Sequence, residues 1–178
     1  MDDVQKLRSF PPLYTKQRNA ETERQRLDDW VRVVVAWAVE RKQSEVLVQK
    51  EVAQGELFRN DKIDRRVALE DAVAILEHAA ARGNGEWVGN DKSRFLVLTR
   101  SLAEWGRLVL AYVDRTGQMG SVLTVFELLE GDDTTKEEFF GMDRTLFMRV
   151  LASLEANHQA KVFTASDPTK SGVKFLKT

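Results

Sequence analysis

Few side chains in this sequence could do covalent or metal chemistry. There is no cysteine, which removes a thiol nucleophile, a disulfide framework and any cysteine-ligated zinc. There are two histidines, His78 and His158. His78 falls mid-helix and His158 just past a helix end. Neither has an Asp, Ser or ligand set at a spacing that builds a triad or a metal site, so both read as surface or boundary residues. Gly83, Gly85 and Gly89 loosely resemble a dinucleotide-binding turn. That mechanism needs strand, loop and then helix N-terminus, whereas these glycines follow a helix and open a strand. They read as a helix stop and a hairpin entry. The acidic run GDDTTKEE, Gly131 to Glu138, lacks the alternating oxygen ligands of a calcium loop and reads as solvated. No catalytic, cofactor-binding or metal-ligating residue is assigned, no cofactor is expected, and the chain reads as non-enzymatic.

The residues best suited to recognition are Phe10, Pro11, Pro12, Leu13 and Tyr14. Two prolines restrict φ and favour an extended, polyproline-like segment with little entropy left to lose on binding. The flanking Phe10 and Tyr14 add large apolar area that suits a groove. Three readings stand: a docking peptide, an arm packed on its own domain, and a WW-domain ligand of the Pro-Pro-x-Tyr type.

The elements that carry these residues follow from composition and an internal repeat. The chain has 178 residues, 43% hydrophobic and 31% charged, as in a globular protein of one medium or two small domains. Lys plus Arg is 27 and Asp plus Glu is 28, a net charge of −1 that gives no general pull toward nucleic acid or anionic membrane. The longest uncharged apolar run, Val33 to Val39, is far shorter than the ~20 residues a bilayer span needs. The Met-Asp-Asp start shows no secretory pattern, so a cytoplasmic protein is expected. DWVRVVVAWA, from Asp29, aligns with EWGRLVLAYV, from Glu104, placing Trp30 on Trp105 and Trp37 on Tyr112. With one residue inserted, Val46-Leu47 falls on Val122-Leu123 and Glu51 on Glu127. Ile75-Leu76 then falls on Val150-Leu151, Trp87-Val88 on Val162-Phe163, and Phe95 to Leu98 on Val173 to Leu176.

Each copy reads as helix, strand, helix, helix and hairpin. In the first copy these are Glu21–Arg41, Glu45–Val48, Lys50–Leu57, Leu69–Arg82, and Gly85–Gly89 with Arg94–Thr99. In the second they are Leu102–Arg115, Ser121–Leu123, Thr124–Glu130, Asp143–Asn157, and Ala160–Ala165 with Val173–Leu176 around Asp167-Pro168. This is the order of a winged helix. The expectation is a mostly α chain with short β hairpins (α+β): an arm over residues 1–19 and tandem winged-helix domains over 20–100 and 101–178. The helices in the DNA-reading position are not basic, since Glu70, Asp71 and Glu77 stand against Arg82, and Asp143 and Glu155 against Arg144 and Arg149. Arg65-Arg66 and Lys170, Lys174 and Lys177 read as solvated surface, so the census argues against nucleic-acid binding.

Several longer strings carry a resemblance. They are FPPLYT at Phe10, RQRLDDW at Arg24, RKQS at Arg41, LFRNDKIDR at Leu57, GEW at Gly85 and EWGRL at Glu104. GQMGSVLTVFEL at Gly117, GDDTTKEEFFGMD at Gly131 and GVKF at Gly172 complete the set. Together, from Phe10 to Phe175, the chain resembles the vacuolar protein sorting-associated protein 25 family of ESCRT-II subunits. The resemblance implies tandem winged helices that bind protein and not DNA, without catalysis or direct membrane insertion. It implies a complex with two copies of this subunit around one copy each of two larger winged-helix subunits, of the Vps22 and Vps36 type. The docking role carries to Phe10, Pro11, Pro12, Leu13 and Tyr14. The second domain would recruit and activate an ESCRT-III subunit of the Vps20 type. The setting would be cytoplasmic with recruitment to endosomal membranes, in multivesicular body sorting of ubiquitinated membrane proteins.

Overall fold

The computed structural model describes residues 2–167 and 170–177; Pro168, expected in the last hairpin turn, lies outside the described residues. The chain divides into two compact units, Met1–Thr99 and Arg100–Thr178. Both are α+β: helices laid on a small antiparallel sheet.

Unit one opens with α1 (Asp3–Arg8) and a 3-10 turn over Pro11–Tyr14. Then comes α2 (Ala20–Arg41), whose Asn19 cap accepts from the Glu21 and Thr22 N–H groups. Its buried stripe includes Trp30, Val33, Val34 and Trp37, so Val33 faces the unit's own core. β1 (Glu45–Leu47) leads directly into α3 (Val48–Gln54). This helix starts and ends earlier than its polar–apolar pattern suggests: the strand's last ladder bond, Val48 N–H to Ser93 O at 3.0 Å, runs straight into the first turn, and Gly55 closes the helix with its N–H on Glu51 O at 3.0 Å. The polar stretch after it is a miniature hairpin, β2 (Arg59–Asn60) with β3 (Arg65–Arg66), closed by Asp64 in the left-handed region. α4 (Leu69–Ala81), β4 (Gly85–Val88) and β5 (Arg94–Val97) complete the unit. The sheet order is β1-β5-β4, so the last strand is central. Gly85 is obligatory there, since a Cβ on it would lie 2.2 Å from the Phe95 ring.

Unit two repeats the order with α5 (Leu102–Arg115), β6 (Val122–Thr124), α6 (Val125–Glu130), α7 (Arg144–Ala156), β7 (Ala160–Phe163) and β8 (Gly172–Phe175). Capping boxes start α5 (Ser101 with Glu104) and α6 (Thr124 with Glu127), and Asp143 caps α7. The sheet order is β6-β8-β7, again with the last strand central.

The repeat holds at Trp30 and Trp105, Trp37 and Tyr112, and Ile75-Leu76 and Val150-Leu151, all buried. One block needs correction. Val46 pairs Phe95 and is buried, and its structural counterpart is Leu123, which pairs Val173; Val122 is 61% exposed. Two inserted residues, not one, therefore separate the copies at this strand. The one-residue slip matters because it sends every side chain to the opposite face.

Candidate functional site

The docking segment is neither extended nor free. Pro11–Tyr14 forms a 3-10 turn, closed by Leu13 N–H to Phe10 O at 3.0 Å and Thr15 N–H to Pro12 O at 3.2 Å. The prolines suit this turn because their fixed φ also matches a first helical turn, where a missing N–H is no loss. The five expected contact residues split into two groups. Leu13 and Tyr14 are 2% and 6% exposed, packed into unit one, while Phe10 is 56% exposed with Pro11 and Pro12 open beside it. The expectation of a polyproline-like arm is thereby corrected: apolar area at Leu13 and Tyr14 closes on the chain's own core before any partner is met. A WW domain would need the Tyr14 ring, which stands edge-on to Trp30 at 5.4 Å between centroids.

Three fasteners hold this turn. First, Leu13 O accepts from Trp30 Nε1 at 2.7 Å and from Arg26 Nη1 at 3.0 Å. Second, Tyr14 OH and Asn60 Nδ2 both donate to Arg8 O at 2.9 Å, while the Arg8 guanidinium donates to the carbonyls of Glu56 and Arg59. Third, the buried Arg26 makes a two-pronged bond to Asp71 (2.7 and 3.1 Å) and reaches Glu23 at 2.6 Å. Glu23 in turn accepts the Gln17 N–H at 2.9 Å, just past the turn. Planar guanidinium geometry makes Arg26 suited to carry two carboxylates and a carbonyl at once.

The electrostatics agree with this wiring. Burial raises the Tyr14 phenol above its ordinary value, partly offset by Arg8. Burial opposes the Glu23 charge, but the Arg26 hydrogen bond and the Gln17 N–H outweigh it and hold the carboxyl below its usual range. Burial likewise opposes the Arg26 charge, and Asp71 and Glu23 outweigh it and raise its pKa.

The other candidates have structural partners. His78 Nε2 lies 2.7 Å from Asp28 Oδ1, and Arg82 forks onto the same carboxylate, a tie between α4 and α2. Asp28 is held below the usual carboxylate range first by the His78 hydrogen bond and then by Arg82. His158 is exposed in a turn at φ 58°. Gly83 sits past α4 at φ 79°, a position that favours glycine. The acidic loop is not simply solvated. Glu137 pairs with Arg115, Glu138 pairs with Arg100, and the buried Thr134 hydroxyl donates to Gly131 O at 3.2 Å. Among the described residues no group of three His, Asp or Glu side chains is placed to hold a metal ion, and no helix is long and apolar enough to cross a membrane.

What remains at the surface is a rigidly mounted Phe10-Pro11-Pro12 knob. Sequence reading missed its mounting, because Arg26 and Asp71 are remote in the chain and carry no motif.

Comparison with known proteins concerns the chain as a whole. The family described as "ESCRT-II complex subunit" matches residues 7–143. The chain is 39% identical to vacuolar protein-sorting-associated protein 25 of Rattus norvegicus over 94% of this chain and 93% of that protein. It superposes on the solved subunit VPS25 of the endosomal trafficking complex ESCRT-II with a TM-score of 0.81 at 26% identity, covering 96% of this chain and 97% of that one. It also matches a chain of the crystallised complex ESCRT-II (VPS22/VPS25/VPS36) with a TM-score of 0.83 at 27% identity, covering 98% and 100%. With the family match over most of its length and that degree of identity along the whole chain, the chain belongs to the ESCRT-II complex subunit family, on the branch of vacuolar protein sorting-associated protein 25.

Proposed function

We propose that the chain is a non-catalytic subunit of an endosomal sorting complex, built of tandem winged-helix domains with a docking arm over residues 1–19. Its larger partners are subunits of the Vps22 and Vps36 type. Phe10, Pro11 and Pro12 make the direct contact, while Leu13 and Tyr14 anchor the turn from within unit one. The observation that carries this reading is the exposed aromatic–proline knob on a buried clamp, in a chain similar to one crystallised with VPS22 and VPS36. A knob held before binding loses little entropy on docking, so its apolar contacts convert more fully into affinity. Unit two recruits and activates an ESCRT-III subunit of the Vps20 type. The protein works from the cytoplasm at endosomal membranes, sorting ubiquitinated membrane proteins into multivesicular bodies.

Co-expression with the two larger subunits tests this. Native mass spectrometry should give a complex with two copies of this chain and one of each larger subunit. Unit two alone should fail to join it but should capture the ESCRT-III subunit. Capture by unit one alone would reverse the assignment of roles.

A further inference from the structure

Unit two does not spread its positive charge evenly. Residues 158–177 carry four lysines and one acid, Asp167, whereas residues 100–157 carry six basic and ten acidic residues. The near-zero net charge of the chain conceals this segregation.

The pairing register arranges part of it on one face. Val122, Lys174 and Lys161 stand opposite one another across β6, β8 and β7, and Thr124, Gly172 and Phe163 form the next row. Side chains alternate along a strand, so both rows share one face, and Leu123, Val173 and Val162 take the other. Leu123 and Val173 are buried, which makes the first face the outer one; there Val122 is 61% exposed and Phe163 43%. A Cβ built on Gly172 would lie 3.3 Å from Val122 Cγ1, which sets the valine over the bare glycine on this face. Lys161 Nζ stands 5.6 Å from the Phe163 ring centroid. Among the described residues no carboxylate pairs with Lys161 or Lys174. Glu155, at the end of α7, accepts the Val162 N–H at 2.5 Å.

We propose that this outer sheet face is a contact site for an anionic membrane surface. Phe163 and Val122 reach the headgroup layer while Lys161 and Lys174, with Lys170 and Lys177 nearby in sequence, meet lipid phosphates and carboxylates. Lysine stems lie along apolar surface and keep their charge in the polar layer, and a basic face bearing an aromatic residue is the composition of an interfacial contact. The geometry favours a membrane over an acidic helix. The two apolar side chains stand on the two outer strands in different rows, about 12 Å apart by strand spacing and rise, with Lys174 on the strand between them, too few and too far apart to take a helix's row of anchors. The attraction is local, acting within a Debye length of ~10 Å, so the net charge does not oppose it. The backbone stays outside the hydrocarbon.

Co-sedimentation of the intact chain with phosphatidylcholine vesicles, with and without phosphatidylserine, tests the proposal. Binding should require phosphatidylserine and weaken with salt. K161E/K174E should lower it by at least roughly 20-fold, since each lysine at an anionic surface contributes about fivefold. V122S/F163S should lower it with the charge intact and the melting curve unchanged. The proposal is overturned if the wild type ignores phosphatidylserine vesicles, binds phosphatidylcholine equally well, or is unaffected by K161E/K174E. It is equally overturned if those substitutions abolish capture of a protein partner and leave vesicle binding in place. Assembly through the Phe10–Pro12 knob does not involve these residues, so the two readings fail separately.

Discussion

Asp71→Ala isolates the charge that mounts the knob. In the folded chain the Arg26 side chain is 4% exposed, and its carboxylate partners Asp71 and Glu23 are 19% and 15% exposed. Removing one partner of a buried pair costs about 3–5 kcal/mol when the remaining charge is left alone. Here Glu23 and Leu13 O still satisfy part of the guanidinium, so about 2 kcal/mol is the reasonable figure. Unit one is of a size for which 1 kcal/mol shifts the transition by roughly 4–8 °C, so its melting should fall by about 8–16 °C. Unit two has no share in the clamp and should melt as before. Differential scanning calorimetry resolves the two transitions and avoids treating a two-unit chain as two-state. Adding Arg26→Met removes the stranded cation, so R26M/D71A should recover part of the loss. The reasoning is refuted if the unit-one transition moves by less than about 2 °C, if both transitions fall together, or if the double variant is no more stable than the single one.

Four further outcomes follow from the same contacts. The raised Tyr14 pKa contributes stability present below the ordinary phenol value and lost as pH rises through the folded value. Unit one should therefore weaken above about pH 10, and Tyr14→Phe should remove that loss in pH-dependent melting. The lowered Glu23 pKa contributes stability present above the ordinary carboxyl value and lost as pH falls through the folded value, so Glu23→Gln should flatten the acid limb below about pH 4.3 in urea titrations. Gly106→Val should cost unit two about 1–3 kcal/mol by overpacking, because even a Cβ there would lie 2.9 Å from Leu154 Cδ2 where α5 meets α7. Thr124→Ala should cost about 1 kcal/mol by opening the α6 capping box, read as lower helix protection in hydrogen exchange around Glu127.

Where structure depends on local pattern, these residues were readable from the chain alone. The spacing of Trp30, Val34 and Trp37 marks α2, and Asp143 and Thr124 mark helix starts, because periodicity and caps act over a few residues. The β6 register was not readable. Val122 and Leu123 are both apolar, and only the partner strand says which of them faces the core. The hairpin at Arg59 and Arg66 was hidden in a polar run, where pairing supplies the strands and propensity does not. The docking site was half visible. Phe10 to Tyr14 stood out by composition, yet which apolar residues face outward depended on Arg26, Asp71 and Trp30 folding around Leu13 O. Likewise His78 gained its partner, Asp28, only across α2 and α4. Long-range polar contacts leave no spacing to read.

The affinity of the Phe10-Pro11-Pro12 knob for the larger subunits is the most direct measure of its role as the docking element. Isothermal titration of a purified Vps22- and Vps36-type pair should show that F10A/P11A/P12A binds at least ~30-fold more weakly than wild type, as expected for loss of an interface hot spot. Its unit-one stability should fall by no more than the roughly 1–2 kcal/mol that two Pro→Ala changes return to the unfolded chain, because all three side chains are exposed. Undiminished affinity in that folded variant would contradict the assignment of the knob as the docking element.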